Sequence, residues 1–463
     1  MKYNLAVLAL ITVLFSCSEK KTDKNLQGQL LKVSDNNRFL MEENGNPFFW
    51  LGDTGWLLFS KLNREEAEMY LNDRDQKGFN VIQVMVIHDL KVKNFYGDSA
   101  LINQDVSRPK VTSGSSSEID EEYDYWDHMD YIIDLAEKKG IYMALVPVWG
   151  SNVKAGRVSR EQADKYSTWL SKRYAERRNI IWLNGGDVKG SDSTVIWNII
   201  GNNIRKNAPN HLITFHPFGR TKSSMWFHNA DWLDFNMFQS GHRRYDQDDS
   251  ELAYGQDNWK YVRDDYGLIP AKPTIDGEPS YEGIPQGLHD PAEPYWNAND
   301  LRRYAYWSVF AGGFGFTYGH SAIMQMHKPG DMKTSYGVRE YWTEAMEAPG
   351  AGQMVHLKNL MLSKPYFARV PDQSLIADNQ GEKYDYLIAT RGGNYAFVYT
   401  YTGRDIHLAM GKIAGEKVRV SWFDPRNGKQ TEIGTFENKG IKTFNPPGNA
   451  KDGNDWVLVL DSL

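Results

Sequence analysis

The chain predicts an α/β architecture, a (β/α)8 TIM barrel followed by a small C-terminal β-sandwich, and three observations carry that prediction. Short apolar runs alternate with capped amphipathic stretches eight times between residues 48 and 362. Polar residues gather after the apolar runs rather than before them, as at the carboxyl ends of barrel strands. From about Pro365 the apolar period drops to two, with Gly, Pro and Asn turns between runs.

The elements follow in order. Residues 30–46 alternate around Asp35-Asn36-Asn37 and Asn44-Gly45 and read as a lead-in hairpin. Phe48 to Leu51 is the first strand, ending in Gly52-Asp53-Thr54-Gly55-Trp56. Asn63, with Glu66 three residues on, caps the first helix by a capping box. Asn80 to Ile87 is the second strand and ends at His88; a long polar loop, 89–122, precedes a helix over 124–139. Ile141 to Val148 is the third strand, ending at Trp149-Gly150, and Ser159 caps the next helix. Asn179 to Leu183 is the fourth, carrying the turn Asn184-Gly185-Gly186-Asp187. After a helix over 193–206, Leu212 to Phe215 makes the fifth strand, ending at His216-Pro217. Trp232 to Phe238 makes the sixth, ending in Gln239-Ser240-Gly241-His242, and a helix is expected at 256–266. Lys272 to Ile275 is the seventh, followed by Asp276-Gly277-Glu278. A Pro-rich loop leads to a helix after Asn299. Gly312 to Thr317 is the eighth strand, followed by Tyr318-Gly319-His320 and a last helix over 349–362. The barrel thus occupies 30–364 and the sandwich 365–463, the latter with the runs YDYLIATR, YAFVYTYT, KVRVSWF and WVLVLDSL.

The first residues set the expected compartment. Lys2, the apolar run from Leu5 to Phe15 and the box Leu14-Phe15-Ser16-Cys17 read as a lipoprotein signal peptide, 1–16, with Cys17 lipidated. The run is shorter than the roughly 20 residues a transmembrane helix needs. Residues 17–29 read as a polar tether, and the expected location is the periplasmic or outer face of a bacterial outer membrane, held by lipid. Cys17 is the only cysteine, which excludes a disulfide scaffold. A formal charge of −6 over 463 residues argues against a nucleic-acid surface. A monomer is expected.

Cleaving a glycosidic bond takes two carboxyl groups in different environments and neither metal nor cofactor. Alone, an Asp or Glu after a strand reads as a cap or a loop ion pair; Asp187 and Glu278, after the fourth and seventh strands, read as a facing pair. Asp187 is then the acid/base and Glu278 the nucleophile or base, each preceded by glycine that lets the backbone turn sharply. Candidate substrate-binding residues are Asp53, Trp56, His88, Trp149, Asn184, His216, Gln239, His242, Tyr318 and His320. Asp276 is expected to anchor its loop. HExxH and paired cysteines are absent, so zinc has little support, and GxSxG is absent too. The acidic tract Asp246 to Glu251 reads as a solvated loop rather than a calcium site. A non-catalytic glycan-binding lipoprotein is the alternative class.

The stretches FFWLGDTGWLLFSKLNREEAEMYLNDRDQKGFNVIQVMV, IIWLNGGD, PTIDGEPSYEG, GGFGFTYG and WFDPRNG…DWVLVL resemble the apiosidase-like glycoside hydrolases of family 140. The resemblance spans about residues 30–463. It implies a barrel with a sandwich of the type labelled collagen-binding, and release of apiose from side chains of the pectin rhamnogalacturonan-II. It carries the two catalytic carboxylates onto Asp187 and Glu278. Other barrels with two carboxylates place a Glu directly after an Asn; here two glycines separate Asn184 from Asp187. Retention is favoured by analogy, exo action by the long loops 89–122 and 279–298, and a glycosidase for another plant or host glycan stays open.

Overall fold

A computed structural model describes residues 28–463. The leader, Cys17 and most of the tether lie outside the described residues. The tether's last two residues are fixed: Gly28 O accepts from Arg178 Nε at 2.5 Å and Gln29 O from the Tyr142 hydroxyl at 2.5 Å.

Eight parallel strands form the barrel: Trp50–Thr54, Val81–Ile87, Tyr142–Val148, Ile180–Val188, Leu212–Pro217, Asn236–Gln239, Thr274–Asp276 and Gly315–Tyr318. Numbered in that order, they run fifth, fourth, third, second, first, eighth, seventh, sixth across the sheet. A short strand, Thr221–Lys222, pairs antiparallel with the sixth. The seam between fifth and sixth closes through few bonds. Asp234 N donates to Ile213 O at 2.9 Å, Ile213 N to Asp234 Oδ2 at 2.7 Å, and Thr214 Oγ1 to Phe235 O at 2.6 Å.

Helices cover the sheet where the apolar periodicity and caps place them. Arg64–Gln76 begins at Asn63 with the expected capping box, and Arg160–Tyr174 begins at Ser159. Tyr125–Lys138 and Pro349–Leu362 match their sequence-predicted spans. The helix expected after Asn299 starts two residues earlier, at Ala298, because Asn297 is its cap. The weakly patterned stretch 218–231 holds the short antiparallel strand and one helical turn, Ser224–Phe227.

Strand ends differ from expectation in a way that matters for the site. The first strand runs to Thr54 and the eighth to Tyr318, so Asp53 and Tyr318 lie inside strands and face each other in register. Side chains alternate faces along a strand, so a shift of one or two positions decides between the barrel mouth and the helix layer. Both side chains turn to the helix layer.

The sandwich has a six-stranded antiparallel sheet, ordered 370–371, 388–391, 395–400, 456–462, 417–423, 430–437. A two-stranded sheet, Ile406–Ala409 with Ile441–Phe444, covers it. One apolar core continues from barrel into sandwich: Tyr306 stacks on Tyr399 at 4.8 Å and Phe310 on Phe397 at 6.0 Å.

Candidate active site

Asp187 stands on a distorted strand end. Gly185, Gly186 and Asp187 all have left-handed backbone, with φ of 93°, 108° and 52°, and the fourth strand loses register with the fifth between Gly185 and Val188. The glycines are required by space as well. A Cβ on Gly185 would meet Phe215 at 2.6 Å, and one on Gly186 would meet Trp149 at 2.6 Å. Asp187 has no such freedom, so its left-handed conformation is strain held by the surroundings, of the kind found where function demands a particular aim. Gly186→Ala is expected to displace Trp149 and cost about 1–3 kcal/mol; urea denaturation with tryptophan fluorescence measures both.

Glu278 follows the seventh strand and is nearly buried between two imidazoles. His216 Nε2 lies 3.0 Å from its Oε2 and His242 Nε2 lies 3.3 Å from its Oε1. Asp187 N lies 3.3 Å from His216 Nδ1, at the opposite end of the ring from Glu278. One histidine ring therefore couples the two carboxyl residues. His216 is fully buried and edged by Trp56, at 5.3 Å and 87°. Trp149 completes this wall, 5.6 Å from Trp56.

The environments drive the carboxyls apart. Burial raises Asp187, the charge of Glu278 raises it further, and together they push it up to about 7 against the weaker pull of His216. Burial also works to raise Glu278, but hydrogen bonding and charge from His216 and His242 overcome it and hold this carboxyl low, at about 2. One group keeps its proton near neutrality while the other keeps its charge, the division of labour of a general acid and an anionic partner. His242→Ala removes one of the two groups holding Glu278 low. The acid limb of the pH–rate profile is expected to move upward, read from kcat/KM against pH.

Other expected residues divide plainly. Gln239 supports Asp187 by a side-chain hydrogen bond, and its Oε1 has no partner among the described residues. Trp56, Trp149, His216, Gln239 and His242 thus gather with the carboxyl pair. Asp53 does not: it is fully buried, 3.1 Å from Arg74 Nε, and accepts from the Tyr70 hydroxyl at 2.8 Å. Asn184 turns outward and donates to Trp197 O at 2.8 Å. Tyr318 donates to Glu282 Oε2 at 2.7 Å, beneath the helix that begins at Pro349. His320 caps the turn Ser321–Met324 and meets Glu340 at 3.1 Å. These four side chains hold the scaffold. His88 is half-buried and makes no hydrogen bond through its ring among the described residues; burial lowers its pKa. Asp276 anchors its loop, accepting from Ser240 Oγ at 2.7 Å and Asn258 Nδ2 at 2.9 Å. Within the acidic tract, Asp246, Asp248 and Asp249 pair with Arg244, Arg220 and Arg243.

Two tyrosines at the site escaped the sequence reading. Tyr281, three residues after Glu278, accepts from Trp56 Nε1 at 3.1 Å and packs against the edge of His242 at 4.8 Å. Burial first, then the Glu278 charge, raise its phenol well above the usual value. Its closeness to Glu278 in PTIDGEPSYEG was the available signal. Tyr336 comes from the loop after the eighth strand, with φ of 56°. Burial, then the charges of Asp187 and Glu278, raise it too, and its ring lies 5.8 Å from that of His289. No periodicity marks that loop.

Comparisons with known proteins give the family and the fold. Residues 34–368 match the family model described as "Apiosidase-like, catalytic domain" and 370–461 match "Putative collagen-binding domain of a collagenase". A solved structure described as a glycoside hydrolase is 47% identical, with a TM-score of 0.88, over 94% of this chain and 97% of that one. A glycoside hydrolase family 5 structure from Bacteroides vulgatus ATCC 8482 is 46% identical, with a TM-score of 0.89, over 94% and 93%. A third structure, also from Bacteroides vulgatus ATCC 8482 and described as a "putative glycoside hydrolase", shares the fold at 15% identity and a TM-score of 0.65 over 95% and 83%. No curated protein matches. With its barrel, sandwich and polarised carboxyl pair, this chain belongs to the apiosidase-like family and is a glycoside hydrolase.

Proposed function

We propose that the enzyme releases terminal apiose from side chains of rhamnogalacturonan-II, with Asp187 as acid/base and Glu278 as nucleophile. The observation that carries the mechanism is the placement of Glu278 between two imidazoles, His216 Nε2 at 3.0 Å and His242 Nε2 at 3.3 Å, which holds its carboxyl low while burial and the Glu278 charge raise that of Asp187. Asp187 protonates the departing oxygen, and Glu278 attacks the anomeric carbon from the opposite face. In the second step Asp187, now a carboxylate, takes a proton from water, which displaces Glu278. The low proton affinity of Glu278 supports retention. A carboxylate held anionic by two histidines is a poor general base for water, whereas a nucleophile needs only its charge and a clear line to carbon.

Exo action has support from the mouth of the barrel. The loop carrying Tyr336 is latched to the loop 279–298: Tyr295 OH donates to Gly337 O at 3.1 Å, and the Arg339 guanidinium stacks on Tyr295. On its other side Ser335 N donates to Gln325 Oε1 at 2.9 Å, and Gln325 Nε2 returns a bond to Ser335 O at 3.2 Å. These ties hold the loop 279–298 and the loop after the eighth strand together, which supports a site for one terminal sugar. The apiosyl specificity rests on family membership. The lipobox at Cys17 supports anchoring to an outer membrane, with a plant cell-wall glycan as substrate.

Mass spectrometry of products from rhamnogalacturonan-II oligosaccharides tests the reading. Loss of a single pentose identified as apiose is the expected result; release of a different sugar would remove the substrate, and internal cleavage would remove the exo assignment.

A further inference from the structure

A groove of about 360 Å³ opens past the end of the fourth strand, lined from Lys189 and Phe218 onward, within the size range of small-ligand sites, about 300–1,000 Å³. Its wall starts at Lys189, two residues beyond Asp187, and at Gly219, whose backbone N–H helps to lower the Asp187 pKa. Phe218 and Trp226 line it, with Met225 beside them. Phe218 is 38% exposed and Met225 43% exposed, an apolar surface presented to water at the edge of a polar site. Such a patch at a polar rim marks a contact surface, and flat rings bind the apolar faces of sugars.

The groove is built rigidly. The turn carrying Phe218 is pinned on both sides: Thr221 N donates to Phe218 O at 3.1 Å and Arg220 N to Gln239 O at 2.7 Å. Arg220 adopts φ of 60°, and its guanidinium is fixed by Asp248 at 3.1 Å and Asp249 at 3.3 Å. Trp226 lies against Gly190, where a Cβ would meet its ring at 2.7 Å. The same residue, Gln239, therefore holds the acid through its side chain and the Phe218 turn through its backbone.

Chemistry decides what occupies such a groove. The general acid protonates the oxygen that leaves, so the departing part of the substrate lies on its side, away from Glu278. We infer that this groove is the leaving-group subsite, where Phe218 and Trp226 stack on the sugar that remains attached to the departing oxygen. The inference rests on Asp187 as the acid and deepens the proposed function: the groove selects the glycan that carried the released sugar.

Two substrates with the same released sugar test it: the oligosaccharide, and the glycosyl fluoride, whose leaving group cannot reach the groove. Phe218→Ala and Trp226→Ala are each expected to lower the ratio of kcat/KM for oligosaccharide over fluoride by about fivefold or more, the scale of one aromatic contact. Phe218→Tyr, which keeps the flat ring, should restore the ratio. Ratios within twofold of wild type for both alanine variants would overturn the subsite. A different released sugar replaces apiose in both substrates and leaves the groove test standing. Full oligosaccharide activity in Asp187→Asn would instead remove the acid, and the subsite with it.

Discussion

Asp187→Asn and Glu278→Gln should each lower kcat on the oligosaccharide substrate by about 10³-fold or more, with little change in thermal stability. The two losses have different pH signatures. Asp187 must carry a proton to donate it. Its pKa is raised to about 7, so wild-type activity is present below that pH and falls as pH rises through it. Glu278 must be charged, and a pKa lowered to about 2 keeps it charged throughout an ordinary assay range, so no acid limb from this group enters that range. Asp187→Asn therefore loses the alkaline limb along with the rate. In Glu278→Gln the negative neighbour is gone, and Asp187 should titrate lower than in wild type. The shift reverts only in part, because burial is the larger cause and remains. Carboxyl titration by NMR measures that step directly. Retention has its own check: with Glu278→Ala, added azide should restore turnover and give a glycosyl azide of inverted configuration. An Asp187→Asn variant with more than a tenth of wild-type kcat would remove this assignment of the acid.

How much of this was legible in the residues follows from what each signal measures. Alternation of apolar runs with capped helices records burial, and burial fixed the order of the eight units. The Gly185-Gly186-Asp187 and Gly277-Glu278 turns were readable because glycine at a strand end reports a backbone that side chains would obstruct, and Phe215, Trp149 and Met237 are the obstructions. Face assignment was not readable to the same depth. Asp53 and Tyr318 lie at strand carboxyl ends like the site residues, yet strands longer at those ends carry them into the helix layer, where Arg74 and Glu282 receive them. Tyr336 was invisible because its place depends on latches to Gln325 and Tyr295, contacts between loops that no local pattern encodes.

Arg302→Ala should destabilise the whole chain by about 3–5 kcal/mol, the cost of stranding one partner of a buried ion pair. Arg302 lies on the helix Ala298–Phe310 that follows the seventh barrel strand, and Asp455 immediately precedes the last strand of the sandwich. The guanidinium donates twice to this carboxylate, Nε to Oδ2 at 2.8 Å and Nη2 to Oδ1 at 2.7 Å, with 1% and 0% of the two side chains exposed. Gln353 and Asn299 accept two more of its donors at 2.6 and 2.8 Å, and the Tyr399 hydroxyl supports Asp455 at 3.2 Å. Removing the cation leaves the carboxylate without charge compensation in a site that water does not reach. The aromatic stacks of Tyr306 and Phe310 against the sandwich lie on the same helix, so the damage is delivered to the shared core. Asp455→Leu should cost a similar amount, because it strands the arginine instead. The double replacement Arg302→Met with Asp455→Leu removes both charges and should recover most of the loss. Urea denaturation of the four proteins measures the coupling. Single variants within about 1 kcal/mol of wild type would show that the sandwich is not held to the barrel through this pair. Recovery in the double variant with unaltered kcat would show that the sandwich acts on catalysis only by bracing the helix behind the Glu278 strand.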